Sequence, residues 1–155
     1  MLPLAVTTAA CGLYQPEHLT LPTPTKDAAR LCKTVLIWGA APSVSCVAVQ
    51  LANESGFDVI ATASKRNFDF VKSVGAKAVF DHSSSSVEDD LVKALKEGEF
   101  AGVFEATAKP ESLKISLQAA SHAGGGRLAP VLSVPKELLP ENITMADPYS
   151  KFRFR

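Results

Sequence analysis

What this sequence lacks narrows the field first. Lysine plus arginine match aspartate plus glutamate, 16 against 16, so the chain carries no net charge at neutral pH. A neutral chain has no global field to draw in nucleic acid or an anionic membrane surface, and neither partner is expected. No apolar run reaches the ~20 residues that a membrane-spanning helix needs. The opening, MLPLAVTTAACG, is apolar but short and interrupted, with no positive flank. It reads as a packed helix at the entry of a domain rather than a secretion signal. Cysteine is scarce. Cys11, Cys32 and Cys46 stand far apart, with no CxxC and no Cys/His spacing, so no metal site is expected. An odd, scattered set fits reduced thiols in a reducing compartment, hence a cytoplasmic location. There is no internal repeat, no Ser/His/Asp arrangement and no pair of carboxylates set for acid–base work. Asp89-Asp90 falls within a helix and reads as a solvated face near its start; His122 reads as a helix-end residue facing the dipole. No catalytic residue can be named.

What is present is an alternation. The 155 residues suffice for one domain with a real core. Residues 3–15 are compatible with a helix, and a proline-rich stretch with Pro16, Pro22 and Pro24 then reads as an ordered lead-in loop. Val35 to Trp38 is a continuous apolar run, the mark of a strand buried on both faces. A helix is expected from about Val44 to Ser55, with Val44, Val47, Ala48, Leu51 and Ala52 on its apolar stripe. Asp58 to Ala63 is a second buried strand, Asn67 is placed to cap a short helix ending at Gly75, and AKAVFD is a third strand. Ser85 and Glu88 have capping-box spacing ahead of an amphipathic helix that stops at Gly98. FAGVFEATA is a fourth strand. Pro110 opens a helix to about His122, and RLAPVLSV is a fifth strand, weakened by Pro130. The tail from 135 to 155 shows no element of its own. Strands alternating with helices imply a doubly wound parallel α/β sheet, Rossmann-like, in which the sheet occupies 34–134 and follows a lead-in at 1–33.

In such folds ligands sit outside the carboxyl ends of the strands. The first turn there is Gly39-Ala40-Ala41-Pro42-Ser43-Val44-Ser45. Gly39 permits the tight turn, and the small side chains of Ala40, Ala41 and Ser43 let backbone approach a pyrophosphate. The following helix start offers N–H groups and a positive dipole end. Two features depart from a dinucleotide fingerprint. Pro42 has no N–H to donate, and Ser45 stands where a closing glycine would let helix and strand pack closely, so it is expected to push them slightly apart. The turn alone leaves a cofactor site and an unliganded strand-turn-helix both open. The second strand end bears on the choice. An NAD site wants an acid there for the ribose hydroxyls, but this chain has Ser64-Lys65-Arg66-Asn67. Ser64 and Asn67 as donors, with Lys65 and Arg66 as charges, are what a ribose 2′-phosphate needs, so NADP(H) is the expected cofactor.

The stretches LPLAVTTAACGLYQPEHLTLP, KTVLIWGAAPSVSCVAVQLA, GFDVIATASKRNFDFVKSVGAKAVFDH and AGVFEATA resemble the medium-chain dehydrogenase/reductase superfamily. The branch they are most similar to is the zinc-independent fungal enoyl reductases that act in trans with polyketide synthases. The resemblance reaches to about Val134. It implies that Ala41 to Val44 hold the pyrophosphate, that Ser64 to Asn67 hold the 2′-phosphate region, and that His82 lies near the adenosine in place of an aromatic residue. It implies NADPH-dependent hydride transfer to an activated alkene, with an enoyl thioester as the small-molecule substrate and a polyketide synthase or a second copy as partner. It also implies a GroES-like catalytic domain that this chain does not contain, and a last strand and helix beyond the fifth strand. The expectation is therefore a cofactor-binding half, truncated in its tail and incomplete at the C-terminal end of the sheet. The alternative is a catalytically inactive, truncated dinucleotide-binding or interaction protein, or an incomplete product that is unstable alone.

Overall fold

The computed structural model describes residues 2–107 and 109–145. Its strands are β1 (Lys33–Trp38), β2 (Asp58–Ala63), β3 (Ala78–Asp81), β4 (Glu99–Glu105), β5 (Gly126–Pro130) and β6 (Ile143–Met145). They form one parallel sheet in the order β3-β2-β1-β4-β5-β6. The helices are α1 (Leu2–Tyr14), α2 (Ser43–Glu54), α3 (Phe68–Ser73), α4 (Val87–Leu95) and α5 (Pro110–His122). The chain winds outward through β2 and β3, returns to β4 on the other side of β1, and winds outward again. That is the doubly wound topology the alternation implied.

The strand pleat divides the core in two. Val35 and Ile37 of β1 face α1 and α2, packing with Leu13, Ala48, Val49, Ala52 and Phe104. Leu36 and Trp38 face the other way, against Leu91, Leu95, Leu113 and Leu117 of α4 and α5. A central parallel strand must be apolar on both faces, which is why β1 reads as a continuous run rather than an alternating one. On α1, Gly12 lets the helix lie against the sheet: a Cβ there would come within 2.6 Å of the Phe104 ring. The Tyr14 hydroxyl donates to the Leu51 carbonyl at 3.1 Å and pairs with Ser55, tying α1 to α2.

The lead-in loop is ordered by two arginines. Arg127 on β5 reaches the carbonyls of Pro16 and His18 at 3.0 and 3.1 Å and the Thr20 hydroxyl at 2.6 Å. Arg30 reaches Asn53 and the Phe57 carbonyl at 3.0 and 3.2 Å.

Four expectations are corrected. The buried face of α2 is led by Ser45, Ala48, Val49 and Ala52, while Val44, Val47 and Leu51 are only partly covered. Small residues take the inner stripe because the helix lies close between α1 and the sheet. Asn67 holds the capping position of α3 but makes no cap bond, because its amide goes to Ser64 instead. Ser86, not Ser85, precedes α4, and its hydroxyl donates to Asp90 and accepts no backbone N–H of the helix. Finally, the stretch after 134 is not featureless. A 3₁₀ turn, Lys136–Leu138, leads into β6, which pairs with β5 through Gly126↔Ile143 and Leu128↔Met145. The sheet therefore has the sixth strand that had been expected to be lost. The rest of the expected tail, 146–155, lies outside the described residues.

Candidate cofactor cleft

A cleft of about 370 Å³ opens at the carboxyl ends of β1, β2, β3 and β4. It falls at the switch point, where β2 leaves β1 on one side and β4 flanks it on the other. Trp38 and Gly39 form its floor, Ala41 and Pro42 its edge toward α2. Gly39 has φ +67°, and a Cβ there would meet the Thr107 methyl at 2.8 Å. Both the conformation and the space demand glycine.

The turn is pinned from β2 by a residue that sequence reasoning did not single out. Thr62 is fully buried; its hydroxyl accepts the Gly39 N–H at 2.9 Å and its carbonyl accepts the Ala40 N–H at 2.8 Å. Ala40 is therefore buried beneath the turn, with its N–H already bonded, and does not line the cleft. Pro42 caps α2 at φ −63° and ψ 158°, values natural to proline, and its carbonyl accepts the Cys46 N–H at 2.8 Å. The N–H groups of Ser43, Val44 and Ser45 form the first turn, ahead of any intrahelical acceptor, and no side chain caps them. Ser43 is exposed there and Val44 partly so. Ser45 is fully buried, and its hydroxyl oxygen finds no partner among the described residues.

The β2–β3 side of the cleft is lined by Ala63, Ser64, Asn67 and His82. Ser64 opens a 3₁₀ turn, Lys65–Asn67, closed by the Asn67 N–H on the Ser64 carbonyl at 2.9 Å. The Asn67 amide donates to the Ser64 hydroxyl at 3.0 Å, which leaves the Ser64 proton to give. Lys65 and Arg66 are exposed beyond this lining. The Lys65 ammonium stands 3.8 Å from Asp81, whose carboxyl is held below its ordinary range by hydrogen bonds from the Ser83 hydroxyl and N–H, with Lys65 and His82 adding to the effect. His82 is exposed at the rim. Of the expected phosphate and ribose residues, Gly39, Ala41, Pro42, Ser64, Asn67 and His82 line one opening, and Ala40, Ser43, Val44, Lys65 and Arg66 do not line it.

The opposite side was not foreseen. Thr107, Lys109, Glu111, Ser112 and Ile115 line it. Behind them lies Glu105, the last residue of β4, fully buried. Its Oε1 accepts the Thr107 N–H at 3.0 Å and the Thr107 hydroxyl at 2.5 Å, and its Oε2 faces the Ser116 hydroxyl at 3.1 Å. A glutamate closing an otherwise apolar strand, followed by Thr107 and Ser112, is the signal that could have found this network. Asp89-Asp90 lies elsewhere, at the start of α4, and His122 pairs with Glu88 at 3.2 Å across α4 and α5. Among the described residues no group of three or more His, Cys, Asp or Glu is placed to hold a metal ion, and no helix is long and apolar enough to cross a membrane.

Comparison with known proteins agrees with this geometry. A family model described as zinc-binding dehydrogenase matches residues 43–147. The dehydrogenase azaJ of Aspergillus niger is 49% identical over 102 residues, 66% of this chain and 30% of that protein. The trans-enoyl reductase himH of Aspergillus japonicus is 40% identical over 143 residues, 92% of this chain and 40% of its own. A solved alcohol dehydrogenase superfamily protein from Novosphingobium aromaticivorans has the same fold, with a TM-score of 0.68 at 24% identity over 97% of this chain and 43% of that one. The chain spans less than half the length of these relatives.

Proposed function

The chain belongs to the zinc-binding dehydrogenase family of the medium-chain dehydrogenase/reductase superfamily, and on that footing we propose that its cleft binds NADP(H) in preference to NAD(H). The observation that carries the reading is the pairing of two features at one opening. An uncapped helix start, reached over a glycine that tolerates no Cβ, suits a pyrophosphate. The Ser64–Asn67 turn, with two exposed cations and no acid, suits a 2′-phosphate. The cleft's volume is also that of an ordinary small-molecule site, about 300–1,000 Å³.

In this reading the N–H groups of Ser43 to Ser45 hold the pyrophosphate. Ser64 and Asn67 donate to the ribose phosphate while Lys65 and Arg66 neutralise it, and His82 stacks at the adenosine rim. When bound, the cofactor supplies the hydride. The whole protein's activity is a further proposal: reduction of an activated alkene such as an enoyl thioester, by a longer assembly in which a polyketide synthase or a second copy takes part. The names of the trans-enoyl reductase relatives support it.

The test is a titration of the purified chain with NADPH and NADH, read on Trp38, the single tryptophan and part of the cleft floor. Saturable quenching by NADPH at concentrations at least about tenfold below those needed for NADH, a difference of about 1.4 kcal/mol, is the expected result. A folded chain that NADPH does not quench would refute the assignment.

A further inference from the structure

The turn between β1 and α2 has no side chain with which to hold itself. Gly39, Ala40, Ala41 and Pro42 carry no side-chain hydrogen-bonding group, and glycine leaves the backbone freer than any other residue. Resting on the NADP(H) reading above, we propose that Thr62 is a positioning residue for the phosphate at the start of α2, and that it acts through Gly39.

Thr62 is the one polar residue inside the apolar stretch of β2, and it is fully buried. A buried hydroxyl costs free energy unless it is bonded, and this one is bonded to the turn. It accepts the Gly39 N–H at 2.9 Å, and the Thr62 carbonyl accepts the Ala40 N–H at 2.8 Å. Two consecutive N–H groups of the turn are therefore tied to one residue of the neighbouring strand. The carbonyl bond prolongs the β1–β2 ladder, and any residue at this position could make it. The hydroxyl bond needs threonine or serine. It holds the residue at which the chain leaves the sheet with φ +67°. The next N–H, that of Ala41, has no partner among the described residues, and Ala41 lines the cleft beside Pro42. Thr62 thus divides the turn. Two donors are bonded to the sheet, and those that follow, Ala41 and then Ser43 to Ser45, are left for an anion. Donors held in place before a phosphate arrives lose little freedom when it binds, which is how pre-organisation raises affinity. Thr62 does not itself line the cleft, so its effect passes through the turn.

The experiment uses the full chain and two probes that differ by one group. Adenosine 2′,5′-bisphosphate carries the phosphate that would reach α2, and adenosine 2′-monophosphate lacks it. Calorimetry measures both against the wild type, Thr62→Val and Thr62→Ser, with a thermal melt of each. The wild type is expected to bind the bisphosphate at least about tenfold more tightly than the monophosphate. Thr62→Val keeps the branched shape that suits a strand and loses the acceptor; it should cut that ratio to about threefold or less and leave the monophosphate within about twofold of wild type. Thr62→Ser keeps the acceptor and should hold the ratio within about twofold of wild type. A merely structural role would lower the melting temperature and weaken both probes equally, and a Thr62→Val variant with an unchanged ratio overturns the proposal. A wild type that binds both probes equally overturns it too, since no phosphate is then held at the turn. If Thr62→Val does not fold, hydrogen exchange of the wild type decides: a protected Gly39 amide supports the proposal, and one that exchanges as freely as that of Ala41 overturns it. A folded wild type that binds neither probe nor NADPH refutes the cofactor reading itself, a failure distinct from that of Thr62.

Discussion

The two sides of the cleft are built on opposite plans. The β2–β3 side is built mainly on one short stretch, Ser64 to Asn67, whose charged members are exposed and whose bonds stay within the turn apart from the Lys65–Asp81 ion pair. The β4–α5 side is a set of buried and partly buried hydroxyls gathered around one buried carboxyl group, with partners up to eleven positions apart in the chain. In the proposed reading the first side recognises by charge and can change specificity with little effect on the fold. The second is part of the core, and altering it touches the sheet as well as the ligand. That reading separates selectivity from stability across the width of one opening.

Gly39 is where the two sides meet, and breaking it should have the largest effect. Gly39→Val adds a β-branched side chain at φ +67° and drives it into Thr107. We expect a loss of about 1–3 kcal/mol in stability, together with a fall in NADPH affinity of about a hundredfold or more, beyond what the loss of stability produces. Denaturant melts and a titration on the folded fraction check both.

A smaller change of opposite sign is expected at Ser45. Its buried, unpartnered hydroxyl stands on the inner stripe of α2, so Ser45→Ala removes an uncompensated polar group and leaves no large cavity. Stability should rise by about 1 kcal/mol, seen as a melting temperature about 2–4 °C higher. NADPH binding should be unchanged, since only the Ser45 main chain takes part in the turn.

The smallest effect lies outside both sides and separates fold from site. Burial lowers the pKa of His18 below its ordinary 6.5, against a smaller upward pull from Glu17. A depressed pKa means that the unfolded chain takes up the proton first. The stability associated with a neutral His18 is therefore present above pH 6.5 and is lost as pH falls through the depressed folded value. His18→Asn should flatten this acid-side decline in a series of melts and leave the cofactor preference at neutral pH untouched.

Much of the fold was legible because its signals are local. Val35 to Trp38 is an apolar run and Asp58 to Ala63 a mostly apolar one, as a doubly covered strand carries, and Pro110 and Gly39 punctuate as expected. β6 was not legible. Ile143–Met145 is three residues long, and what makes it a strand is pairing with β5 rather than any pattern of its own. The caps failed for a related reason: Asn67, and Ser86 in the place expected of Ser85, each bond a neighbouring side chain and cap no backbone N–H. The same division runs through the site. Ser64 to Asn67 are consecutive and could be read as a unit, whereas Glu105, Thr107 and Ser116 become a unit only once α5 packs on β4. The burial of Ala40 was not legible, because the partner of its N–H, Thr62, lies on another strand.

The central claim is that the 2′-phosphate is read by Lys65 and Arg66, and a thermodynamic cycle tests it most directly. NADPH and NADH are each titrated against the wild type and the Lys65→Ala/Arg66→Ala double variant. Both side chains are exposed, so each contact is worth about 1 kcal/mol rather than the full charge-assisted value. The account predicts that the double variant weakens NADPH by about tenfold to a hundredfold and leaves NADH within about twofold, erasing the preference. A double variant that binds NADPH as the wild type does, or that loses both cofactors equally, would contradict it.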